Sequence, residues 1–365
     1  MKHLIIAISL LTSMTMITQA QITDPKLEVV ASFDKAQPIG VSVSSSNRVF
    51  VSFPNKAPYT MGLSEIENGE RVAFPNTDWQ DASGMSEDRF VNVQDIYVDT
   101  KDYLWVLDSK PASSSSIFAN DGGKDEEGRF RLYGFDLKTN KLNKRFDFPS
   151  LDKKKSALND VRVDTDKNLA YLSDPGLAGI VVLNLENGES RTVLSNSKYT
   201  LADTSLVLSY EGRDMRDKQG KPFRSNVNGI ALTKDNKWFY FKPINATHLY
   251  RIETKYLADE KLKDADLEGF VEDMGEVGIT HGLVADVKGN IYLTTSLDYT
   301  VKRLTSEGKL EVVTQDSRVL WPDSMGVGSD GYLYFSCAQM QLLPNWNNGQ
   351  DLVQYPYQVY RVKVL

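Results

Sequence analysis

The stretch Asn228-Gly229-Ile230-Ala231-Leu232-Thr233-Lys234-Asp235-Asn236-Lys237-Trp238-Phe239-Tyr240-Phe241 decides the fold of this chain. It comprises a short apolar run, a polar turn and a second apolar run that is rich in aromatic residues. Apolar runs of this length that are bounded by turn residues are typical of β-hairpins. The sequence therefore predicts a hairpin here.

The same pattern recurs at intervals of several tens of residues, which indicates a repeat architecture. The other copies begin at equivalent positions, namely Ile39, Gln94, Asn159, His281 and Asp323. Each copy carries further strand-forming sequence after its first hairpin, so we expect four strands per unit. Six such units predict an all-β protein, a six-bladed β-propeller with four-stranded blades. A seven-bladed propeller and a two-sheet sandwich are the alternatives.

The two ends of the repeat region each supply a strand. Residues 27–33 form an apolar run without a hairpin partner, and residues 357–364 alternate between apolar and polar side chains. Pairing the first strand with the last would close the ring and leave no large exposed sheet edge. We therefore predict that the N- and C-terminal strands pair in one blade.

Residues 1–20 resemble a secretory signal peptide. Lys2 and His3 precede an apolar run over residues 4–11, and the segment ends on the small residue Ala20. The apolar run is too short to span a bilayer, and no other segment is apolar enough to do so. The sequence therefore predicts one propeller domain over residues 21–365, secreted or periplasmic after the signal is removed.

The overall composition restricts the partners. A formal net charge of −7 argues against a nucleic-acid footprint. The single cysteine, Cys337, cannot form an intrachain disulfide, and we expect a buried structural thiol and no disulfide-linked partner.

Four long insertions interrupt the repeats, at residues 56–80, 109–128, 196–223 and 342–356. Such connections are often lids or mobile segments; we expect 109–128 to be mobile and the others to be partly ordered.

The residue that opens each unit is the candidate site residue, because the innermost strand of each propeller blade lines the axial channel. The aligned residues are Ile39, Gln94, Asn159, Asn228, His281 and Asp323. Five of the six are polar, so we expect them to converge on one ligand-binding site at the channel mouth. The alternative is that the Asn and Asp residues only cap turns, as these residue types commonly do.

Two chemistries fit this ring. Amide and carboxylate oxygens from Asn159, Asn228 and Asp323 would suit Ca²⁺. An imidazole near a carboxylate suits proton transfer, which makes His281 and Asp323 the candidate catalytic residues. His281 as a hydrogen-bonded plug of the channel is the alternative. His248 is expected to lie between strands and exposed.

Several stretches resemble the yellow / major royal jelly protein family. They include Arg48–Pro54, Tyr103–Asp108, Ala170–Asp174, Trp238–Pro243 and Leu333–Ser336, in order over nearly the whole chain after the signal. This resemblance implies a six-bladed propeller, secretion, and either binding of small aromatic amines in the channel or dopachrome conversion. The wider propeller group includes gluconolactonase-like hydrolases with a channel Ca²⁺ held by a first-blade Glu together with Asn and Asp residues. Asn159, Asn228 and Asp323 correspond, but Ile39 stands where the Glu should be.

Three functional hypotheses follow. The first is a binding protein for a small polar or aromatic ligand, with hydrogen bonds from the polar ring residues and with Trp321 and Trp346 as walls. The second is an enzyme at the same site, either a metal-assisted lactone or ester hydrolase or a tautomerase. The third is an interaction scaffold, which a channel mouth plugged by large apolar side chains would favour.

Overall fold

The computed structural model describes residues 22–54, 61–80, 88–112 and 127–365. These residues form six four-stranded antiparallel sheets and one two-stranded sheet. The prediction of an all-β, six-bladed propeller is thus confirmed. The predicted signal segment and residues 113–126 of the insertion that was expected to be mobile lie outside the described residues.

Strand β1 (Glu28–Ser32) belongs to the last blade, and the first three blades follow it in chain order. Blade one contains β2 (Val41–Val43), β3 (Val49–Ser52), β4 (Leu63–Glu67) and β5 (Glu70–Ala73). Blade two contains β6 (Val93–Val98), β7 (Tyr103–Lys110), β8 (Arg129–Asp136) and β9 (Lys141–Phe146). Blade three contains β10 (Val161–Asp164), β11 (Leu169–Asp174), β12 (Gly179–Asn184) and β13 (Ser190–Val193).

A two-stranded hairpin, β14 (Ser209–Tyr210) and β15 (Arg213–Asp214), separates blades three and four. Blade four contains β16 (Val227–Leu232), β17 (Trp238–Pro243), β18 (His248–Glu253) and β19 (Glu272–Glu276), with the short helices α1 (Thr254–Ala258) and α2 (Asp264–Glu268) before its last strand. Blade five contains β20 (Leu283–Ala285), β21 (Ile291–Thr295), β22 (Thr300–Leu304) and β23 (Leu310–Gln315). Blade six contains β24 (Pro322–Val327), β25 (Tyr332–Cys337) and β26 (Gln358–Lys363), and short 3₁₀ helices lie at Thr77–Gln80, Met340–Leu342 and Pro344–Trp346.

The ring closes through the chain termini, as predicted. The order of strands in blade six is β1, β26, β25 and β24, so the first strand pairs with the last. Ala31 lies opposite Val359 in this antiparallel pair, and the Phe33 amide donates to the Tyr357 carbonyl over 2.9 Å just beyond it. The closure joins residues that are more than 300 positions apart in the sequence, and it covers the edge of β26 that β25 leaves free.

The hydrophobic core lies between the blades. Each pair of neighbouring blades shares one cluster of buried apolar residues, which makes six clusters around the ring. In the cluster between blades one and two, Phe74 of blade one makes edge-to-face contacts with Phe50 at a centroid distance of 5.1 Å and with Phe135 of blade two at 5.6 Å. Because apolar strand residues face both neighbours, stacking the blades buries both surfaces of each sheet.

Aspartates at the far end of the inner hairpins are turn formers, as the sequence suggests. Asp99 accepts hydrogen bonds from the amides of Lys101 and Tyr103 and from Trp105 Nε1. Asp164 and Asp286 play the same part in blades three and five. Their carboxylates satisfy the turn amides, so these residues hold the hairpins together.

Two sequence expectations need correction. The insertion at 56–80 contains β4 and β5, the two outer strands of blade one, and is therefore part of the repeat. His248 begins β18 instead of lying between strands, and its partly exposed imidazole contacts Asp273 at 2.9 Å. Cys337 is a buried free thiol, as expected. Within the described residues, both α-helices are only five residues long, and neither could cross a membrane.

Candidate functional site

The six aligned residues lie at the same end of the innermost strands. In blades two, four and six the ladder is irregular at Gln94, Asn228 and Asp323, which are extra residues opposite the second strand. In blades one, three and five the aligned residue precedes the strand and donates its backbone amide to the second strand, at Ile39, Asn159 and His281. The aligned residues therefore surround the axis at one end of the channel.

Direct contacts join some of these side chains. Gln94 Nε2 donates to Asn159 Oδ1 over 3.3 Å, and Asn159 Nδ2 donates to Asp160 Oδ1 over 2.7 Å. On the other side of the ring, Trp321 Nε1 donates to Asp323 Oδ2 over 3.1 Å. Asn228 donates to Ser225 of its own blade over 3.4 Å. The structure thus links Gln94 with Asn159 and Trp321 with Asp323, while Asn228 contacts its own loop.

A buried ion pair lies next to the ring, and the sequence reasoning missed it. Asp95 follows Gln94, and its Oδ2 accepts hydrogen bonds from the Val161 amide and from Arg162 Nη1, both over 3.0 Å. Arg162 Nη2 also donates to the Leu283 carbonyl of blade five over 3.1 Å. One guanidinium from blade three therefore connects blades two and five across the channel.

Three carboxyl groups interact near this guanidinium, which is bonded to Asp95 and whose charge also acts on Asp160. Burial raises the pKa of Asp95, and burial together with the nearby charge of Asp95 raises the pKa of Asp160 well above its usual range. Burial, with a further contribution from Asp95, raises the pKa of Asp323 to about 7. We refer to Asp95, Asp160, Arg162 and Asp323 as the axial acidic cluster. Its carboxyl groups interact across the axis, because the charge of Asp323 of blade six helps to raise the pKa of Asp160 of blade three.

His281 is the most enclosed of the predicted site residues. Its side chain is 1% exposed, and its ring stacks on Trp321 with centroids 3.8 Å apart. Its Nε2 lies 2.6 Å from Ser296 Oγ, which is in turn 2.7 Å from the Tyr210 hydroxyl. Burial, with a contribution from the charge of Lys242, lowers the pKa of His281 well below its usual value, so the imidazole is neutral at pH 7. These contacts place His281 beneath Trp321 and away from solvent.

An apolar cluster covers part of the channel mouth. Ile39 and Trp321 of the ring pack there with Tyr210, Met215 and Phe223 of the insertion at 196–223. Four polar ring residues and Asp160 beside them keep some accessible surface, in contrast to the buried His281; the four are Gln94, Asn159, Asn228 and Asp323. The mouth therefore has an apolar part, under the insertion, and an accessible polar part.

Lys242 departs from a pattern that four other blades share. At the equivalent position those blades carry a side-chain hydroxyl that accepts a hydrogen bond from a backbone amide of the inner strand. These hydroxyls belong to Ser52, Ser173, Thr294 and Ser336. In blade four, Lys242 donates from Nζ to the carbonyls of Pro243 and Ala246 over 2.9 and 2.7 Å. Its burial lowers its pKa to about 7.

The ring does not complete the calcium site that the wider propeller group would imply. The Asn159 carboxamide is engaged at both ends, with Gln94 and Asp160, and Ile39 places a hydrocarbon side chain at the first-blade position. Across the described part of the chain, no group of three or more His, Cys, Asp or Glu side chains comes together as a metal site. The residues at this end of the channel therefore do not fit the calcium ion of that group.

Comparisons with solved structures support the fold. Regucalcin, a calcium-binding protein from Agrobacterium tumefaciens, superposes with a TM-score of 0.54 at 14% identity, covering 93% of this chain and 95% of that one. A gluconolactonase from Xanthomonas campestris gives a TM-score of 0.54 at 10% identity, covering 93% and 89%. At this identity the likeness concerns the fold alone.

Comparisons with characterised sequences identify the family. Major royal jelly protein 1 of Apis mellifera is 22% identical over 241 residues, which cover 61% of this chain and 52% of that protein. Major royal jelly protein 7 of the same organism is 26% identical over 203 residues, covering 52% and 41%. The chain thus spans about half the length of the curated relatives it matches. The family model for major royal jelly proteins matches residues 91–365, and the chain therefore belongs to the major royal jelly protein family.

Proposed function

We propose that this chain is a binding protein whose axial acidic cluster holds a small molecule with a protonated amine, attached to a polar or aromatic body. The observation that supports this proposal most strongly is the excess of carboxyl groups over cations at the axis. Asp95, Asp160 and Asp323 interact with one another, but among the described residues the only ion pair that any of them makes is that of Asp95 with Arg162. Burial disfavours the charged forms of Asp160 and Asp323 and so raises their pKa, and a bound ammonium would stabilise those charged forms.

The neighbouring groups suit such a ligand. Asp160 and Asp323 keep accessible surface, so an ammonium could reach them, whereas Asp95 is fully buried and already bonded to Arg162. Trp321 is 2% exposed, so it would orient the Asp323 carboxylate through its Nε1 hydrogen bond and would not form the wall of the site that the sequence suggests. The carboxamide oxygen of Gln94 and, further round the ring, the carboxamide of Asn228 would form hydrogen bonds with polar substituents.

Calorimetric titration with two matched probes tests this proposal. Tyramine carries a protonated amine, whereas tyrosol has the same phenol ring and a neutral hydroxyl in place of the amine. We expect tyramine to bind more tightly, and Asp323→Asn to weaken it about tenfold, the equivalent of about 1.4 kcal/mol. The surface variant Asp273→Asn is the control and should bind as the wild type does. Equal affinities for the two probes, or an Asp323→Asn variant with unchanged tyramine affinity, would contradict the proposal.

A tautomerase acting at the same site is the second candidate, and one observation favours it. A carboxyl group with a pKa of about 7 can both accept and donate a proton near neutral pH, and Asp323 is such a group. His281, the other candidate catalytic residue, would act through Trp321, since it is enclosed beneath that ring. Loss of absorbance of a dopachrome substrate would reveal this activity. The activity should be absent from Asp323→Asn. A wild-type protein that does not turn over the substrate would eliminate the tautomerase function.

We also propose that the protein is exported and that residues 1–20 are removed. Sequencing the N-terminus of the protein made in its native host tests this point. A mature chain that begins at Gln21 is the expected result, and a chain that keeps Met1 would refute it.

A further inference from the structure

A cleft separate from the axial ring lies between the hairpin β14–β15 and the segment 341–352. Its volume is about 270 Å³. Tyr210 and Met215 line it from the hairpin region, and Trp346 and Leu352 line it from the other segment. We propose that this cleft binds a polyhydroxylated ligand of monosaccharide size.

The polar lining of the cleft consists mainly of carboxamides. Four of them, Gln341, Asn347, Asn348 and Gln350, come from one short stretch of chain. A carboxamide offers both a donor and an acceptor, and so does a hydroxyl group. A ligand with several neighbouring hydroxyls therefore matches this lining better than an apolar molecule or a simple ion.

Two lining residues each have a polar atom without a partner. Gln341 is 7% exposed, and among the described residues its Oε1 has no hydrogen-bond partner; the same holds for Trp346 Nε1. Buried polar atoms are nearly always hydrogen-bonded, so each of these atoms needs an explanation. One needs a donor and the other needs an acceptor, and a hydroxyl group supplies both. Both atoms belong to side chains that line the cleft, so a ligand bound there is a candidate partner for each.

The charges at the cleft distinguish its ligand from the one proposed for the axial ring. Asp214, the carboxylate in the lining, is already paired with Arg216 at 3.0 Å. Arg213 also lines the cleft, and no ion pair within the described residues includes it. An ammonium ligand would thus find no free carboxylate in this lining and could not accept from Trp346 Nε1. A hydroxylated ligand could accept from both Trp346 and Arg213.

Aromatic side chains provide the platform that the carbon-bound hydrogens of a sugar ring require. Trp346 packs edge to face on Phe223, with centroids 5.5 Å apart, and Phe223 packs on Trp321 at 5.4 Å. Phe223 therefore lies between Trp346 and Trp321 and holds the Trp346 ring in place. The cleft and the axial ring share this packing but have different lining residues.

Titration with glucose, galactose, mannose and N-acetylglucosamine, followed by tryptophan fluorescence and by calorimetry, tests the proposal. We expect at least one sugar to bind with a dissociation constant in the millimolar range or below. Trp346→Phe, which removes only the N–H donor and part of the ring, and Gln341→Ala should each weaken this binding at least fivefold. Trp238→Phe, at the start of the second strand of blade four and outside the cleft lining, is the matched control and should leave it unchanged. Asp323→Asn should also leave it unchanged, which separates this site from the axial ring.

Three results would overturn the proposal. They are the failure of all four sugars to bind, sugar binding that survives both Trp346→Phe and Gln341→Ala, and preferential binding of catechol over every sugar in a way that depends on Trp346. If Trp346→Phe does not fold, as judged by its thermal melt, Gln350→Ala replaces it. Asn347 donates to the backbone carbonyl of Gln341, so Gln341→Ala retains the contact that holds this segment.

Discussion

Arg162 of blade three and Asp95 of blade two form a buried ion pair, with Nη1 and Oδ2 3.0 Å apart and side chains that are 4% and 2% exposed. The same guanidinium donates to the Leu283 carbonyl of blade five. A charge in this position contacts three blades at once. Its charge also acts on Asp160, one of the two carboxyl groups to which we assign ligand binding.

Removing this guanidinium should destabilise the fold strongly. Arg162→Leu leaves Asp95 buried without its counter-ion, and breaking such a pair typically costs about 3–5 kcal/mol. Urea denaturation measures the free energy of unfolding. Arg303→Leu, at the partly exposed pair with Glu311, is the control and should cost about 1 kcal/mol or less. Equal losses in the two variants would contradict the structural role of Arg162.

Asp323 should make stability depend on pH between its ordinary and its native pKa. Its pKa is about 7 in the folded protein against an ordinary 3.8, so over that interval the folded state binds more protons than the unfolded state. The stability contributed by the protonated carboxyl is complete below pH 4 and is lost as the pH rises through 7. Asp323→Asn removes this loss, and the variant should gain about 1–2 kcal/mol over wild type between pH 4 and pH 8, allowing for partial exposure. If the free energies of unfolding of the wild type and of Asp323→Asn change with pH in parallel from pH 4 to pH 8, the assignment is refuted.

Gly282 permits the close approach of blades five and six. A Cβ atom at this position would lie 1.8 Å from the Asp323 carbonyl oxygen. Gly282→Ala must therefore push the inner strands apart, and we expect a loss of about 3 kcal/mol, as for an overpacked core, together with weaker tyramine binding. Gly62→Ala is the control, because its Cβ would meet its nearest neighbour at 3.5 Å. A Gly282→Ala protein as stable as the control would contradict the contact.

Calcium should not stabilise this protein. Ile39 supplies no oxygen, and the Asn159 carboxamide is already engaged at both ends. We expect equal melting temperatures in excess Ca²⁺ and in excess chelator. A ligand that binds the folded state at 100 times its dissociation constant adds about 2.7 kcal/mol of stability. A clear rise in melting temperature with Ca²⁺, abolished in Asp323→Asn, would restore the metal hypothesis.

The repeat made the fold predictable, and the omissions have physical causes. The apolar and aromatic inner hairpins recur with little change because each fills the same space between blades. Outer strands face solvent and lose this signal: Glu272–Glu276, the last strand of blade four, has no apolar alternation. In blade one the cue was present, since Asn68 and Gly69 form the turn between β4 and β5, and it was missed inside a stretch that was interpreted as an insertion.

The candidate site was only partly predictable. Aligning the repeats identified Gln94, Asn159 and Asp323, but Asp95 and Asp160 stand one position later in the same alignment. Asp95 follows a bulge and Asp160 precedes its strand, so the strict alternation of a strand applies to neither residue. The contacts of Tyr210 and Trp346 depend on how long insertions fold back over the mouth, and no local pattern encodes that path.

The central claim is that the axial acidic cluster binds an amine, and the most direct test is a crystal structure of the protein with tyramine. We predict that the amine nitrogen lies about 3 Å from a carboxylate oxygen of Asp323 or Asp160, a hydrogen-bonding distance, with the phenol ring in the accessible polar part of the channel mouth. Tyramine found only in the outer cleft beside Trp346, or absent from a channel mouth that contains ordered water alone, would contradict the claim.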